Sequence, residues 1–169
     1  MSTLDFEDPS TEGAEPLDLF EHCCHARGWA FERDGDEELM VAAPGSWGSY
    51  QVRILWRPDD ALIQLVAMLD VKVPEARRAA VYETLGLINE RLWIGHFEMW
   101  ASEGDLLFRH AVLLDPDAPA LVPHQAFELL EVMVDECERY YPVFQFVLWA
   151  GKRPTEALEL SLLDTVGEA

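Results

Sequence analysis

Between Tyr50 and Arg57 the chain alternates apolar and polar residues. Tyr50, Val52, Ile54 and Trp56 fall on one side of an extended backbone and Gln51, Arg53 and Arg57 on the other, with Leu55 the one exception. A period of two is the mark of a strand with one buried face. Pro58-Asp59-Asp60 then turns the chain, and Ala61 to Val73 supplies a long partner strand whose apolar stretch, Leu65 to Leu69, places it centrally in a sheet. So short a connection makes the pair antiparallel, because parallel neighbours need a crossover of about a dozen residues. Any fold for this chain must therefore be built around an antiparallel sheet.

Helical periodicity brackets that sheet. From Pro16 to Gly28 the apolar positions Leu17, Phe20 and Cys24 recur at helical spacing, and Gly28 stands where a C-terminal cap belongs. Trp29 to Arg33 and Glu38 to Ala43 are two short strands around the turn Asp34-Gly35-Asp36. Pro74 suits the first position of a second helix, whose stripe Val81, Leu85, Ile88 and Leu92 carries it to about Trp93, with Gly95 beyond its end. Residues 96 to 102 and 105 to 114 form a hairpin turning at Glu103-Gly104. In that register Glu98 lies opposite Arg109, Trp100 opposite Leu107, and Met99 opposite Phe108 on the other face. The proline-rich loop from Pro116 to Pro123 ends the sheet. Phe127, Leu130, Val134 and Cys137 mark a third helix, interrupted or ended near Pro142, and Phe144 to Trp149 fits a last helical turn or an added strand, the helix being preferred. Trp56 and Trp93 fall on or beside apolar stripes and are expected in the core. The order α-β-β-β-β-α-β-β-α is that of an α+β protein, an antiparallel sheet packed with helices.

One domain accounts for a chain of 169 residues with 50% hydrophobic composition. Residues 1–15 hold five carboxylates and no Lys or Arg, together with Pro9 and Gly13, and read as a disordered acidic arm. Residues 16–153 form the domain, and 154–169 a short acidic tail, possible as a helix. Twelve basic and 32 acidic residues leave a net charge of −20, of which the two ends supply −9, so the body is itself acidic. Such a field repels phosphate backbones and anionic lipid, which argues against nucleic acid and membrane as partners. The apolar runs, such as Phe146 to Ala150, fall far short of the roughly 18 residues that span a bilayer. The first residues lack the basic and apolar regions of a signal peptide, and Cys23, Cys24 and Cys137 are an odd count suited to reduced thiols. A cytoplasmic location is the expectation.

Residues with chemical potential are scattered. His22-Cys23-Cys24-His25 lies on a helix, where four consecutive side chains radiate apart, and no second Cys or His pair stands at zinc spacing. Core cysteines flanked by exposed histidines are expected there. His96, Glu98 and His110 share the hairpin, but His110 projects with Phe97 and Phe108 while Glu98 projects the other way. Asp59-Asp60 and Asp34-Asp36-Glu37-Glu38 lack calcium-loop spacing and fit turns. Gly45-Ser46-Trp47-Gly48-Ser49 lacks the Gly-Lys-Ser/Thr ending of a phosphate loop and the spacing of a hydrolase elbow, and Gly151-Lys152-Arg153 has no upstream glycine. Neither a catalytic constellation nor a cofactor or metal site is expected. The candidate protein-binding face is Glu98, Trp100, Leu107 and Arg109, an aromatic beside apolar and paired charged groups.

Two stretches carry a family resemblance: Asn89-Glu90-Arg91-Leu92-Trp93-Ile94-Gly95-His96-Phe97-Glu98 through the hairpin to Phe108-Arg109-His110, and Glu136-Cys137-Glu138-Arg139-Tyr140-Tyr141-Pro142. In these the chain resembles the YbjN family of bacterial sensory transduction regulators, with the order of elements matching over most of residues 16 to 165. The resemblance implies a fold like that of type III secretion chaperones and a small, acidic, non-enzymatic binding protein, often a homodimer. It supplies no catalytic residues. The expected function is that of a regulator or chaperone-like adaptor that binds another protein, of unspecified identity, in bacterial signalling or stress response. The alternative is a sensor domain responding to a small molecule or metal, with an enzyme the more remote option.

Overall fold

The computed structural model describes residues 15–166. The acidic arm expected at the N-terminus, apart from Glu15, lies outside the described residues. Helix α1, Pro16–Arg27, opens on a proline, whose missing N–H costs nothing at that position. It closes at Gly28 with φ 68°, where the Gly28 N–H donates to the His25 carbonyl at 3.1 Å and the Trp29 N–H to the Cys24 carbonyl at 2.9 Å.

Four strands follow in a meander: β1 Ala30–Asp34, β2 Glu38–Pro44, β3 Ser49–Arg57 and β4 Leu62–Lys72. Helix α2, Arg78–Asn89, follows a single 3-10 turn at Glu75–Arg77, and β5 His96–Trp100 and β6 Asp105–Leu113 then form the second hairpin. All six strands share one antiparallel sheet in the order β1-β2-β3-β4-β6-β5, so β4 is interior, as its apolar run implied, and β5 is an edge. The fold is α+β.

Alternation sorts the sheet into two unlike faces. Leu39, Val41, Tyr50, Val52, Ile54, Trp56, Ile63, Leu65, Phe97 and Phe108 are buried on one of them, and the helices cover it. There α1 packs on β1 to β3, α3 on β4 and β6, and α2 on β5. Phe97 anchors this layer, with its ring centroid 5.1 Å from Phe108, 5.7 Å from Phe144 and 5.8 Å from Tyr140. Such aromatic pairs each contribute about 0.5–1.5 kcal/mol beyond area burial.

Several elements depart from expectation. Helix α3, Pro123–Leu148, continues through Pro142 without the expected interruption or end, so the segment from Phe144 to Leu148 is helical as expected but belongs to the same helix. Tyr140, Tyr141, Val143, Phe144 and Val147 are buried on both sides of the proline, and their packing offsets an interior proline's cost of about 3 kcal/mol. Residues 154–166 are indeed helical, as α4 Pro154–Val166, and this helix docks on α2 and α3 with Pro154, Ala157 and Leu158 buried, so it is part of the domain's core. Helix α2 stops at Asn89, four residues short of Trp93. That tryptophan, expected in the core, is fully exposed.

The second hairpin also differs in register. Its loop holds four residues, Ala101 to Gly104, and pairs His96 with Arg109, Glu98 with Leu107 and Trp100 with Asp105. A two-residue loop of the favoured kind needs positive φ at both positions, and of this pair only Gly104, at 73°, adopts it. The wider loop uses that glycine once and closes with the Gly104 N–H on the Trp100 carbonyl at 2.7 Å. Since the slip is two residues, every side chain keeps its expected face.

Candidate functional site

The residues expected to form a binding face lie on the side of the sheet that no described helix covers. Glu98 is the centre of the group. Its Oε1 accepts from the Trp100 Nε1 at 2.9 Å and from the Arg109 guanidinium, and its Oε2 lies 3.1 Å from His96 Nε2. In the observed register Arg109 reaches Glu98 diagonally across the ladder, a distance that long side chains span easily. Partial burial alone would raise the Glu98 carboxyl. The hydrogen bonds from Arg109, Trp100 and His96 outweigh it and hold the group below the ordinary carboxylate value, so Glu98 is ionised at neutral pH. This carboxylate holds Trp100 and Arg109 in place on the sheet.

The four expected members do not contribute alike. Trp100 is 39% exposed, and Glu98 and Arg109 are partly covered, but Leu107 is fully buried. Leu107 stands between Met68 of β4 and Glu98 of β5, its partners across the two ladders. The expected Trp100–Leu107 pair is replaced by Glu98 opposite Leu107. The rest of the uncovered face continues the same mixture, with Met40, Leu55, Leu62, Val66 and Met68 among Gln51, Arg53 and Arg109, and with Arg53 bonded to Glu38 at 2.7 Å.

The other chemical candidates separate in space. His110 lies opposite Leu65, on the helix-covered side, and burial followed by the neighbouring His96 lowers its pKa, so it is neutral at physiological pH. On α1, His22 and His25 are exposed while Cys23 and Cys24 are buried. Burial pushes the Cys24 thiol up to about 12 and raises Cys23 and Cys137 as well. Among the described residues no group of three His, Cys, Asp or Glu side chains is placed to hold a metal ion. No helix among them is long and apolar enough to cross a membrane.

Two polar clamps were invisible in the sequence. The Glu138 carboxylate on α3 accepts from the Tyr50 hydroxyl at 2.5 Å and the Ser46 N–H at 2.8 Å, tying the β2–β3 loop to the helix. Trp47 stacks nearly parallel on Tyr141 beside it. A Cβ on Gly45 would stand 2.3 Å from Glu138 Oε1, so the glycine-rich loop is shaped for this contact and not for phosphate. Burial would raise Glu138, but its donors outweigh that and lower it, while burial and then the carboxylate raise Tyr50. The second clamp is Asn89, the last residue of α2. Its Oδ1 accepts the Phe97 N–H at 2.8 Å and its Nδ2 donates to the Phe97 carbonyl at 2.9 Å, closing the exposed edge of β5 as a neighbouring strand would.

Residues 16–146 match the sequence profile of the YbjN family, described as "Putative bacterial sensory transduction regulator". The chain belongs to the YbjN family. Both stretches that carried the resemblance fall inside the YbjN match, and Asn89, Phe97 and Glu138 are among their residues. A similar solved structure is "Crystal structure of YbjN, a putative transcription regulator from E. coli", 17% identical over 74% of this chain and 93% of its own, with a TM-score of 0.45. No curated protein matches the chain.

Proposed function

We propose that this YbjN-family chain is a non-enzymatic regulator, a chaperone-like adaptor in use, that acts by binding another protein through the uncovered face of its sheet. The observation that supports this reading is the asymmetry of the sheet. Helices α1, α2 and α3 pack on one face, with α4 on α2 and α3, and the other face presents partly exposed Met40, Leu55, Leu62 and Met68 with Trp100 held at its rim by Glu98. A broad surface of apolar groups interleaved with paired charges, with an aromatic fixed at its margin, is the composition of a protein interface. The net charge of −20 directs the choice of partner away from nucleic acid and toward protein surfaces of positive charge. Self-association into a homodimer belongs to the same reading.

The test is a crosslinked capture from the native cell with the intact protein, Trp100→Ala and Leu55→Glu side by side, each variant first shown to melt cooperatively. One stoichiometric protein retained by the intact chain and lost from both variants supports the reading. Capture of nothing, or of the same protein by all three, sinks it. Light scattering of the purified chain reports the dimer: a mass near the 19.2 kDa of one chain at micromolar concentration removes that part.

A further inference from the structure

Strand β6 outruns its edge neighbour. Strand β5 pairs with it only from Asp105 to Arg109, whereas β4 stays paired as far as Leu113. The chain cannot extend β5 backwards, because Gly95 turns away at φ 67° and packs so closely that a Cβ there would stand 2.3 Å from the Phe108 ring. A lane beside His110–Leu113 is thus left without a strand.

The orientation of the backbone in that lane follows from the ladder. Phe97 directs its N–H and carbonyl off the sheet, to Asn89, so Phe108 opposite it faces β4. Alternation then turns His110 and Val112 toward β4, and Ala111 and Leu113 into the empty lane. The Leu114 N–H on the Ala61 carbonyl at 2.8 Å confirms the parity. Among the described residues no hydrogen bond reaches the backbone of Ala111 or Leu113 from the lane side.

Beside this edge lies an apolar cleft of about 240 Å³, walled by Ile94, Val112 and Leu121 and by Leu129 and Val132 of α3, with Glu128 at its margin. Leu113 is 76% exposed, and Trp93, next to Ile94, is wholly so. Donors and acceptors without partners, beside a cleft that accepts an apolar side chain, are what an added strand requires. Charge selects the occupant. Glu128 lines the cleft and Asp115 and Asp117 follow the strand, while the nearby cations Arg91 and Arg109 are engaged by Glu90 and Glu98. A second copy would bring the same acids against these, and residues 1–14 of this chain carry four carboxylates and no Lys or Arg.

We propose that the free end of β6 and its cleft take an extended segment of a partner protein, paired to Ala111 and Leu113, with alternating apolar side chains and flanking Lys or Arg. The proposal rests on the protein-binding reading above and adds a second, separate contact to it.

The probe is a short peptide of alternating valine and lysine, blocked at both ends, titrated against the full chain. The matched valine–glutamate peptide and a valine–lysine peptide of scrambled order are the controls. Binding of the alternating basic peptide, with slowed hydrogen exchange at the Ala111 and Leu113 amides, is the expected result. Leu113→Pro removes one lane-facing donor while leaving the bonds to β4, and should weaken binding by about five- to tenfold. Leu129→Lys, which closes the cleft without touching the edge, should weaken it as much, and covers the case in which the proline variant fails to fold. Equal binding by the glutamate or scrambled peptide, absence of binding, or protection elsewhere in the sheet overturns the proposal. So does a self-association that Leu113→Pro abolishes, which would make the occupant a second copy. Cellular capture separates the two readings: a partner lost from Trp100→Ala but kept by both Leu113→Pro and Leu129→Lys leaves the regulator standing and this site refuted.

Discussion

Replacing Asn89 by alanine tests whether one side chain can stand in for a strand. The amide makes two bonds to the backbone of Phe97, at 2.8 and 2.9 Å, and Phe97 is 1% exposed. Each bond is worth about 0.5–1.5 kcal/mol net, and a buried group left without a partner costs about 1–3 kcal/mol. Because β5 is an edge, water reaches the vacated lane, and the lower part of the second range applies to the N–H and the carbonyl. Alanine returns about 0.5 kcal/mol through its better helix propensity at the end of α2. The expected loss is about 1.5–2.5 kcal/mol, which for a chain of this size lowers Tm by about 3–10 °C. Urea titration should show the midpoint falling with the slope unchanged, and the Phe97 amide should exchange faster. Asn89→Asp, which keeps the acceptor and loses the donor, should be destabilised at pH 7 and recover partly once protonated. A loss under about 0.5 kcal/mol for the alanine variant, with Phe97 exchange unaltered, would refute the reasoning, since two lost hydrogen bonds less the gain in helix propensity cost more than that.

The remaining clamp has a pH signature. Glu138 is lowered in the fold from an ordinary 4.5, so its contribution is complete above that value and fades as pH falls through the folded one; the stability gap between the intact protein and Glu138→Gln should be about 1–3 kcal/mol at pH 7 and shrink below pH 4, and a pH-independent gap would count against the Tyr50–Glu138 bond. Cys23, Cys24 and Cys137 are buried with raised pKa values, so none should react with a thiol reagent at pH 8 until the chain is unfolded, and rapid native labelling of any of them would contradict its placement. Gly95→Ala forces a side chain into a left-handed turn against the Phe108 ring and the Arg109 carbonyl, so a loss of at least about 2 kcal/mol is expected by thermal melting, and a neutral outcome would mean the β5 entry is looser than the structure shows.

Periodicity and apolar runs made the sheet legible, because Tyr50 to Trp56 announces a buried face residue by residue and Leu65 to Leu69 is apolar enough to require a central strand. It also assigned Glu98, Trp100, Leu107 and Arg109 to one face, since that depends only on the parity of the strands. What it missed depends on length and distance. The hairpin slipped by two residues because only backbone dihedrals distinguish Glu103-Gly104 as a two-residue turn from the end of a four-residue one. Pro142 reads in the sequence as an interruption or end because local sterics are visible there and the burial of Tyr140, Tyr141, Phe144 and Val147 around it is not; the helical reading of Phe144 onward holds as far as Leu148. Glu138 and Ser46 meet across most of the chain, and no local spacing encodes such a contact. The apolar stripe Val81, Leu85, Ile88 and Leu92 points Trp93 toward the core only if the helix continues, and α2 ends at Asn89.

The order β1-β2-β3-β4-β6-β5 has a kinetic consequence. Strands β1 to β4 each pair with the next in sequence, and β5 pairs with β6, so both groups close through short loops. Only the ladder between β4 and β6 joins them, setting Ala67 opposite Phe108 across the whole of α2 and β5. Closing that seam carries the largest loop entropy in the sheet, and its partners, Ile63, Leu65 and Phe108, lie at the centre of the core. The four-strand meander and the β5–β6 hairpin can each close locally, so the β4–β6 ladder is the step expected to limit the folding rate, and loosening it by substitution at Ala67 or Phe108 should slow refolding more than the same change in β1 or β2.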